Sequence, residues 1–202
     1  MRARHLVVYT AGHMSIFEYV AVLTSIIIGL GMAHLLRGVA SLIQHPGKAK
    51  IYWVHLCWVG YLFFTLVFWW WWEFRLNTIE TWTFQLYIFV VFYAFTLFLA
   101  SALLFPASLE SYEGYKGYFY SRRAWLFGLV GLTYVVDLID SLMKGQTYFM
   151  SLGMEYLIVS LVQFSLCVVA MLTSNERYHA AFAVAMLAYQ LSWAFRMFET
   201  VA

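Results

Sequence analysis

Six long apolar stretches, separated by short polar breaks, dominate the pattern of hydrophobic positions along the chain. They cover residues 16–43, 51–72, 82–104, 125–143, 148–172 and 178–198. A helix that spans the hydrocarbon core of a bilayer needs about 20 mostly apolar residues, at a rise of about 1.5 Å each. The pattern therefore predicts an all-α polytopic membrane bundle of about six transmembrane helices.

The breaks contain residues that end helices or form turns. Proline and glycine at positions 46 and 47 follow the first stretch, and Pro106 follows the third. Tight turns are predicted at residues 144–146 and 173–176, and short turns make consecutive helices antiparallel. Residues 112–120 are too polar to span and rich in tyrosine, so we expect them to lie along the membrane interface.

Composition strengthens the assignment to a membrane and excludes a soluble domain. Hydrophobic residues make up 64% of the 202 residues and charged residues only 11%. Soluble domains are typically about 45–50% apolar and about 25% charged. The net charge of +2, without a basic run, gives no reason to expect a nucleic-acid partner. Cys57 and Cys167 lie within apolar stretches, where buried thiols are more common than disulfides.

The domain organisation follows from the same pattern. Residues 14–202 are predicted to form a single transmembrane bundle, preceded by an extension over residues 1–13. Arg2 and Arg4 resemble the start of a signal peptide, but the apolar run after them is too short. Either Met1 or Met14 could be the true start.

Lysine and arginine are distributed unevenly between the two predicted faces of the bundle, and cytoplasmic loops carry the larger number. One face collects seven of them: Arg37, Lys48, Lys50, Lys116, Arg122, Arg123 and Arg177. The other collects Arg75, Lys144 and Arg196, together with Arg2 and Arg4 if the extension is present. We expect the richer face to be cytoplasmic and both termini to lie outside.

Charged side chains within a span cost about 2.5–3.5 kcal/mol at its centre on insertion scales, so each needs a reason. The outer half of the predicted bundle contains Glu73, at the end of the second stretch, and four carboxylates that are candidates for an ion or proton site: Glu18, Asp137, Asp140 and Glu155. Gathered in a low dielectric, they could hold a proton or a cation. Arg196 and Lys144 lie on the same side, and as structural counter-charges they could instead neutralise part of this cluster. Both interpretations are open at this point.

The histidines lie mainly in the inner half. His34 and His55 could relay protons near neutral pH, and Gln190 could join a polar seam between helices. Haem ligation is disfavoured because the predicted depths of His34 and His55 differ by about 7–8 Å. We expect satisfied polar histidines, without a cofactor or a metal.

Small residues recur at three- and four-residue spacing on the first predicted helix. Gly31, His34, Gly38 and Ser41 form this stripe, which allows a neighbouring helix to approach closely. The stripe could serve internal packing or a subunit interface. A homo-oligomer is expected, because six spans with little mass outside the bilayer leave each helix a large lipid-facing surface.

Several short motifs resemble a family of uncharacterised small bacterial multi-pass integral membrane proteins. They are Phe17-Glu18-Tyr19, Gly29-Leu30-Gly31, His34-Leu35-Leu36, Tyr52 to Leu56, Phe68 to Trp72, and Arg122 to Trp125 before Asp137. The resemblance covers most of the chain. It implies a location in the bacterial inner (plasma) membrane and implies no activity.

Two functions fit these features. The first is a proton or cation channel or transporter that uses the outer carboxylates. The alternative is a non-transporting membrane scaffold, sensor or partner subunit, with the lipid bilayer as its surroundings. No catalytic motif is present, so an enzyme is the weaker hypothesis.

Overall fold

The computed structural model describes residues 15–47 and 49–198, the last two through their backbone alone. Within these ranges the chain is helical and contains no strand. The helices are α1 (Ile16–Gln44), α2 (Trp53–Glu73), α3 (Phe84–Ala102), α4 (Gly114–Met143), α5 (Gln146–Ser151), α6 (Gly153–Leu172) and α7 (Glu176–Phe198), and a 3₁₀ segment (Phe74–Thr78) continues α2. The predicted helical membrane bundle is confirmed.

Among the described residues, five helices are long and apolar enough to cross a bilayer: α1, α2 with its 3₁₀ extension, α3, α4 and α6. They correspond to the first five predicted spans. The sixth predicted span is also a helix, α7, with 23 residues. It is less apolar than the other five, since charged residues occupy both of its ends.

Two boundaries differ from the prediction. Helix α4 begins at Gly114, so most of residues 112–120 extend that helix. Tyr115, Tyr118 and Phe119 are buried there, because packing against the bundle removes their rings from the interface. The fifth predicted span is divided into α5 and α6 at Gly153, whose φ of +74° suits glycine.

Helix α1 packs mainly on α3, α4 on α6, and α2 on α7. Trp58, in the second turn of α2, is fully buried, and the centroid of its ring lies within 5.2 Å of those of Phe127 and Phe182. We call the half of the bundle that holds the C-terminal ends of α2, α4 and α7 the upper half. The rings of Trp58, Phe127 and Phe182 lie below the upper half, and we call them the aromatic closure.

The stripe of small residues on α1 faces α3. A Cβ atom at Gly31 would lie 3.3 Å from Leu66 Cδ1 and 3.7 Å from Ser101 Oγ, and one at Gly38 would overlap the Phe105 ring. The stripe therefore serves packing within the chain, because both glycines are already covered by neighbouring helices. The homo-oligomer hypothesis loses this support.

Candidate cation site in the upper half of the bundle

A cavity of about 140 Å³ lies in the upper half, among α2, α4, α6 and α7. Six tyrosines line it: Tyr61, Tyr93, Tyr134, Tyr148, Tyr156 and Tyr189. Three tryptophans, two amides and several hydroxyls complete the wall, with two carboxylates and one ammonium group. Several polar and charged groups therefore face the cavity at a depth where the surrounding helices are otherwise apolar.

Asp137, on α4, presents its carboxylate to this cavity. Tyr156 of α6 donates to Oδ2 over 2.6 Å, and Tyr93 of α3 donates to Oδ1 over 3.1 Å. Two neutral donors hold the group, and in the described part of the chain no cationic side chain forms an ion pair with it. Because a carboxylate has about four lone-pair sites, two tyrosines leave room for further donors.

Glu73, Asp140 and Lys144 form a compact charged group next to Asp137. Lys144 Nζ lies 2.7 Å from Glu73 Oε1 and 2.5 Å from Asp140 Oδ2, and all three side chains are at most 5% exposed. Burial by itself would lower the pKa of the Lys144 ammonium, but the two carboxylates raise it above its ordinary value. Glu73 Oε2 and Asp140 Oδ1 make no hydrogen bond within the described residues.

The other two carboxylates of the predicted cluster lie elsewhere. Glu18 caps the N-terminus of α1, where it accepts from the Ser15 backbone N–H over 2.7 Å while Ser15 Oγ accepts from the Glu18 N–H. Glu155 is about half exposed and accepts two bonds from the Arg196 guanidinium, at 2.7 and 3.0 Å. The hypothesis that the four carboxylates form one cluster is wrong, because local capping and ion pairing separate them.

The two proposed counter-charges are both engaged. Lys144 bonds to Glu73 and Asp140, and Arg196 bonds to Glu155 and also lies against the Trp193 ring. Gln190 lines the cavity, with its amide 2.6 Å from the Thr65 hydroxyl. The polar face of α7 thus contacts α2.

The histidines lie below the aromatic closure and do not line the cavity. After α3 ends, three successive carbonyl groups accept bonds from three different helices. His34 bonds to the Phe105 carbonyl over 3.1 Å, His55 to that of Leu104 over 2.6 Å, and Tyr118 to that of Leu103 over 2.6 Å. Since Pro106 prevents the helix from continuing, these side chains replace the lost helical hydrogen bonds.

Two aromatic side chains separate these histidines from Asp137. The fully buried Trp58 and Phe127 lie between the two levels, and their rings are 4.9 Å apart. The described chain also contains no group of three or more His, Cys, Asp or Glu side chains arranged to hold a metal ion. The geometry therefore indicates that His34 and His55 cap the carbonyl groups that follow the end of α3.

Sequence reasoning missed three residues of this site. Glu73 lies at the end of an apolar stretch, where it resembles an interfacial charge, and only the fold brings it to Lys144. Tyr93 and Tyr156 resemble ordinary aromatic residues of a span. A hydroxyl in the middle of an apolar run was the available signal, since a buried tyrosine usually needs a polar partner.

Comparisons with known proteins supply no assignment for this site. No protein-family model, curated protein or solved structure matches the chain.

Proposed function

We propose that the protein binds a cation in the cavity of the upper half and carries it across a bacterial inner membrane, with the upper half facing outside. The observation that supports this most directly is a charge imbalance. Asp137, Asp140 and Glu73 face a single lysine, which leaves a formal charge of −2 when all four groups are ionised. An uncompensated negative charge in a bilayer favours binding of a cation or a proton.

Asp137 is the best candidate for the group that binds and releases the proton or cation. Lys144 is bound by the other two carboxylates, whereas the partners of Asp137 are neutral hydroxyls. A proton or cation can therefore be exchanged at Asp137 without breaking a buried ion pair. Breaking such a pair would cost about 3–5 kcal/mol.

The packing below the cavity favours a carrier over an open pore. Trp58 and Phe127 are fully buried, and their rings pack 4.9 Å apart below the cavity. A cation bound at Asp137 can cross only if helices move. The break at Gly153, between α5 and α6, offers one place for such a movement at the upper end of the cavity.

The test is flux in proteoliposomes that contain a pH-sensitive dye. We expect the wild-type protein to dissipate a proton or cation gradient, and Asp137→Asn to abolish that flux. Glu155→Gln is the matched control, because it makes the same chemical change at a carboxylate outside the cavity. Flux that survives in Asp137→Asn at the wild-type rate would contradict the proposal.

The orientation can be tested with single cysteines in a background without Cys57 and Cys167. Positions 77 and 146 follow the upper ends of α2 and α4, whereas positions 47 and 113 lie at the lower face, and all four are exposed. We expect an impermeant maleimide added outside intact cells to label positions 77 and 146 only. Labelling of 47 and 113 instead would reverse the proposed orientation.

The non-transporting scaffold, sensor or partner subunit is supported by one feature. The pairing of Lys144 with Glu73 and Asp140 stabilises α2 against α4 whether or not a cation is bound. Silent flux assays, together with co-purification of a stable partner, would favour this second function.

A further inference from the structure

The walls of the cavity indicate which kind of cation it takes. Besides its six tyrosines, the cavity is lined by Trp69, Trp72 and Trp193. Aromatic rings around a carboxylate suit an organic ammonium, which is bound by charge and by the electron-rich ring faces. A divalent metal ion would instead require about six to eight oxygen ligands, and the described residues offer no cluster of that kind.

Resting on the function proposed above, we propose that the cation is a small protonated alkylamine, bound with its N–H groups toward Asp137 and Ser160 and its alkyl groups against the aromatic walls. The cavity volume of about 140 Å³ limits the size. An engineered cavity of about 150 Å³ accepts benzene, so a ligand here has about six heavy atoms or fewer.

Ser160 points to a ligand independently of the charge. It is only 5% exposed and lines the cavity. Its hydroxyl makes no side-chain hydrogen bond with the described residues, so it is free to bond to a ligand in the cavity. Ser160 lies four residues after Tyr156 on α6, and residues at that spacing share a helix face. Its hydroxyl is therefore one turn below the contact between Tyr156 and Asp137.

Asp137 and Ser160 then have complementary roles. The carboxylate neutralises the ammonium and uses lone pairs that Tyr93 and Tyr156 leave free. The serine hydroxyl accepts one N–H of the ammonium. A quaternary ammonium lacks that N–H, so it keeps the attraction to Asp137 and the rings but gains nothing from Ser160.

The experiment titrates the purified full-length protein in detergent with dimethylammonium chloride, whose two N–H groups match the two proposed acceptors, and follows binding by tryptophan fluorescence and calorimetry. Potassium chloride at the same concentrations controls for ionic strength. We expect saturable binding of dimethylammonium, no saturable response to potassium, and unchanged binding in Glu155→Gln. A hydrogen bond to a charged group corresponds to about 10- to 100-fold in affinity, so Asp137→Asn should weaken binding at least that much.

Ser160→Ala supplies the sharper comparison and remains informative if Asp137→Asn does not fold. We expect it to weaken dimethylammonium binding about tenfold and to leave tetramethylammonium binding unchanged, because only the first ligand has a second N–H to donate to Ser160. An equal loss for both ligands, or no loss for either, would overturn the assignment of Ser160. An equal response to potassium would overturn the ligand class.

The two proposals can fail separately. Proton flux in proteoliposomes without saturable ammonium binding would overturn the alkylamine site and leave the proposed cation carrier standing. Saturable ammonium binding without flux of protons or amine would overturn the carrier and leave the binding site.

Discussion

Tyr156 on α6 donates its hydroxyl proton to Asp137 on α4 over 2.6 Å, and this contact joins the two helices at the cavity. Tyr156→Phe removes the shorter of the two bonds to the carboxylate. A buried acceptor left unsatisfied costs about 1–3 kcal/mol, so we expect a lower thermal unfolding temperature. The measurement is thermal unfolding in detergent.

Tyr19→Phe is the control for this change, because Tyr19 is 63% exposed and does not line the cavity. We expect it to unfold like the wild type. Equal unfolding temperatures for the two variants would show that the bond between Tyr156 and Asp137 contributes nothing to stability.

Lys144→Met leaves Glu73 and Asp140 facing each other without a cation. Removing one partner of a buried ion pair costs about 3–5 kcal/mol, and we expect a loss of that size in thermal or denaturant unfolding. Lys116→Met removes an exposed partner of Glu176 and should change stability little.

Neutralising Glu73 and Asp140 should restore the stability that Lys144→Met loses. The triple variant Lys144→Met, Glu73→Gln, Asp140→Asn should recover much of the lost stability, because no unpaired charge then remains in the bundle. If Lys144→Met were as stable as Lys116→Met, the burial of this charged group would have to be reconsidered.

The ammonium of Lys144 should stay charged throughout the physiological pH range. Its pKa is raised above the ordinary 10.5, so its stabilising contribution is fully present below 10.5 and is lost only as the pH rises through the higher folded-state value. Any pH dependence of flux between about 5 and 8 must therefore come from another group.

Gly38→Leu tests the packing of α1 on α3. Even a Cβ atom at this position would overlap the Phe105 ring, so we expect a large fall in unfolding temperature and no change in the mass measured by light scattering. Overpacking of this kind costs about 1–3 kcal/mol. The stripe of small residues would be a subunit interface, contrary to our conclusion, if the change reduced the mass and left stability intact.

Gly29→Leu is the matched control, since a Cβ atom there meets nothing within 4 Å. The same substitution nine residues earlier on α1 should leave both stability and mass unchanged.

His55→Phe tests whether the histidines cap the chain or relay protons. The change removes the bond to the Leu104 carbonyl, and we expect a loss of about 1–3 kcal/mol in unfolding free energy. Flux per folded molecule should be retained, because His55 lies below the aromatic closure and outside the cavity. Loss of flux at unchanged stability would restore the relay hypothesis.

The hydrophobic pattern alone determined the helical membrane bundle and the approximate depth of its charges. Spans are set by local composition, because a bilayer of fixed thickness accepts any helix that is long and apolar enough. The predicted helix boundaries differ from the observed ones where tertiary packing outweighs local composition. Tyr115 and Phe119 extend α4 since they find buried contacts, which no local count of polar residues reveals.

The partners of the charges were decided by the tertiary structure. Sequence spacing placed Asp137, Asp140 and Glu155 at similar depths, but depth does not say which helices are neighbours or which way each side chain turns. Packing of α4 on α6 brought Tyr156 to Asp137, and packing of α2 near the end of α4 brought Glu73 to Lys144. Only the assembled helices therefore separate the candidate site from the exposed pair of Glu155 and Arg196. Hydrogen bonds and ion pairs depend on distances of about 3 Å between atoms, and a one-dimensional pattern does not contain those distances.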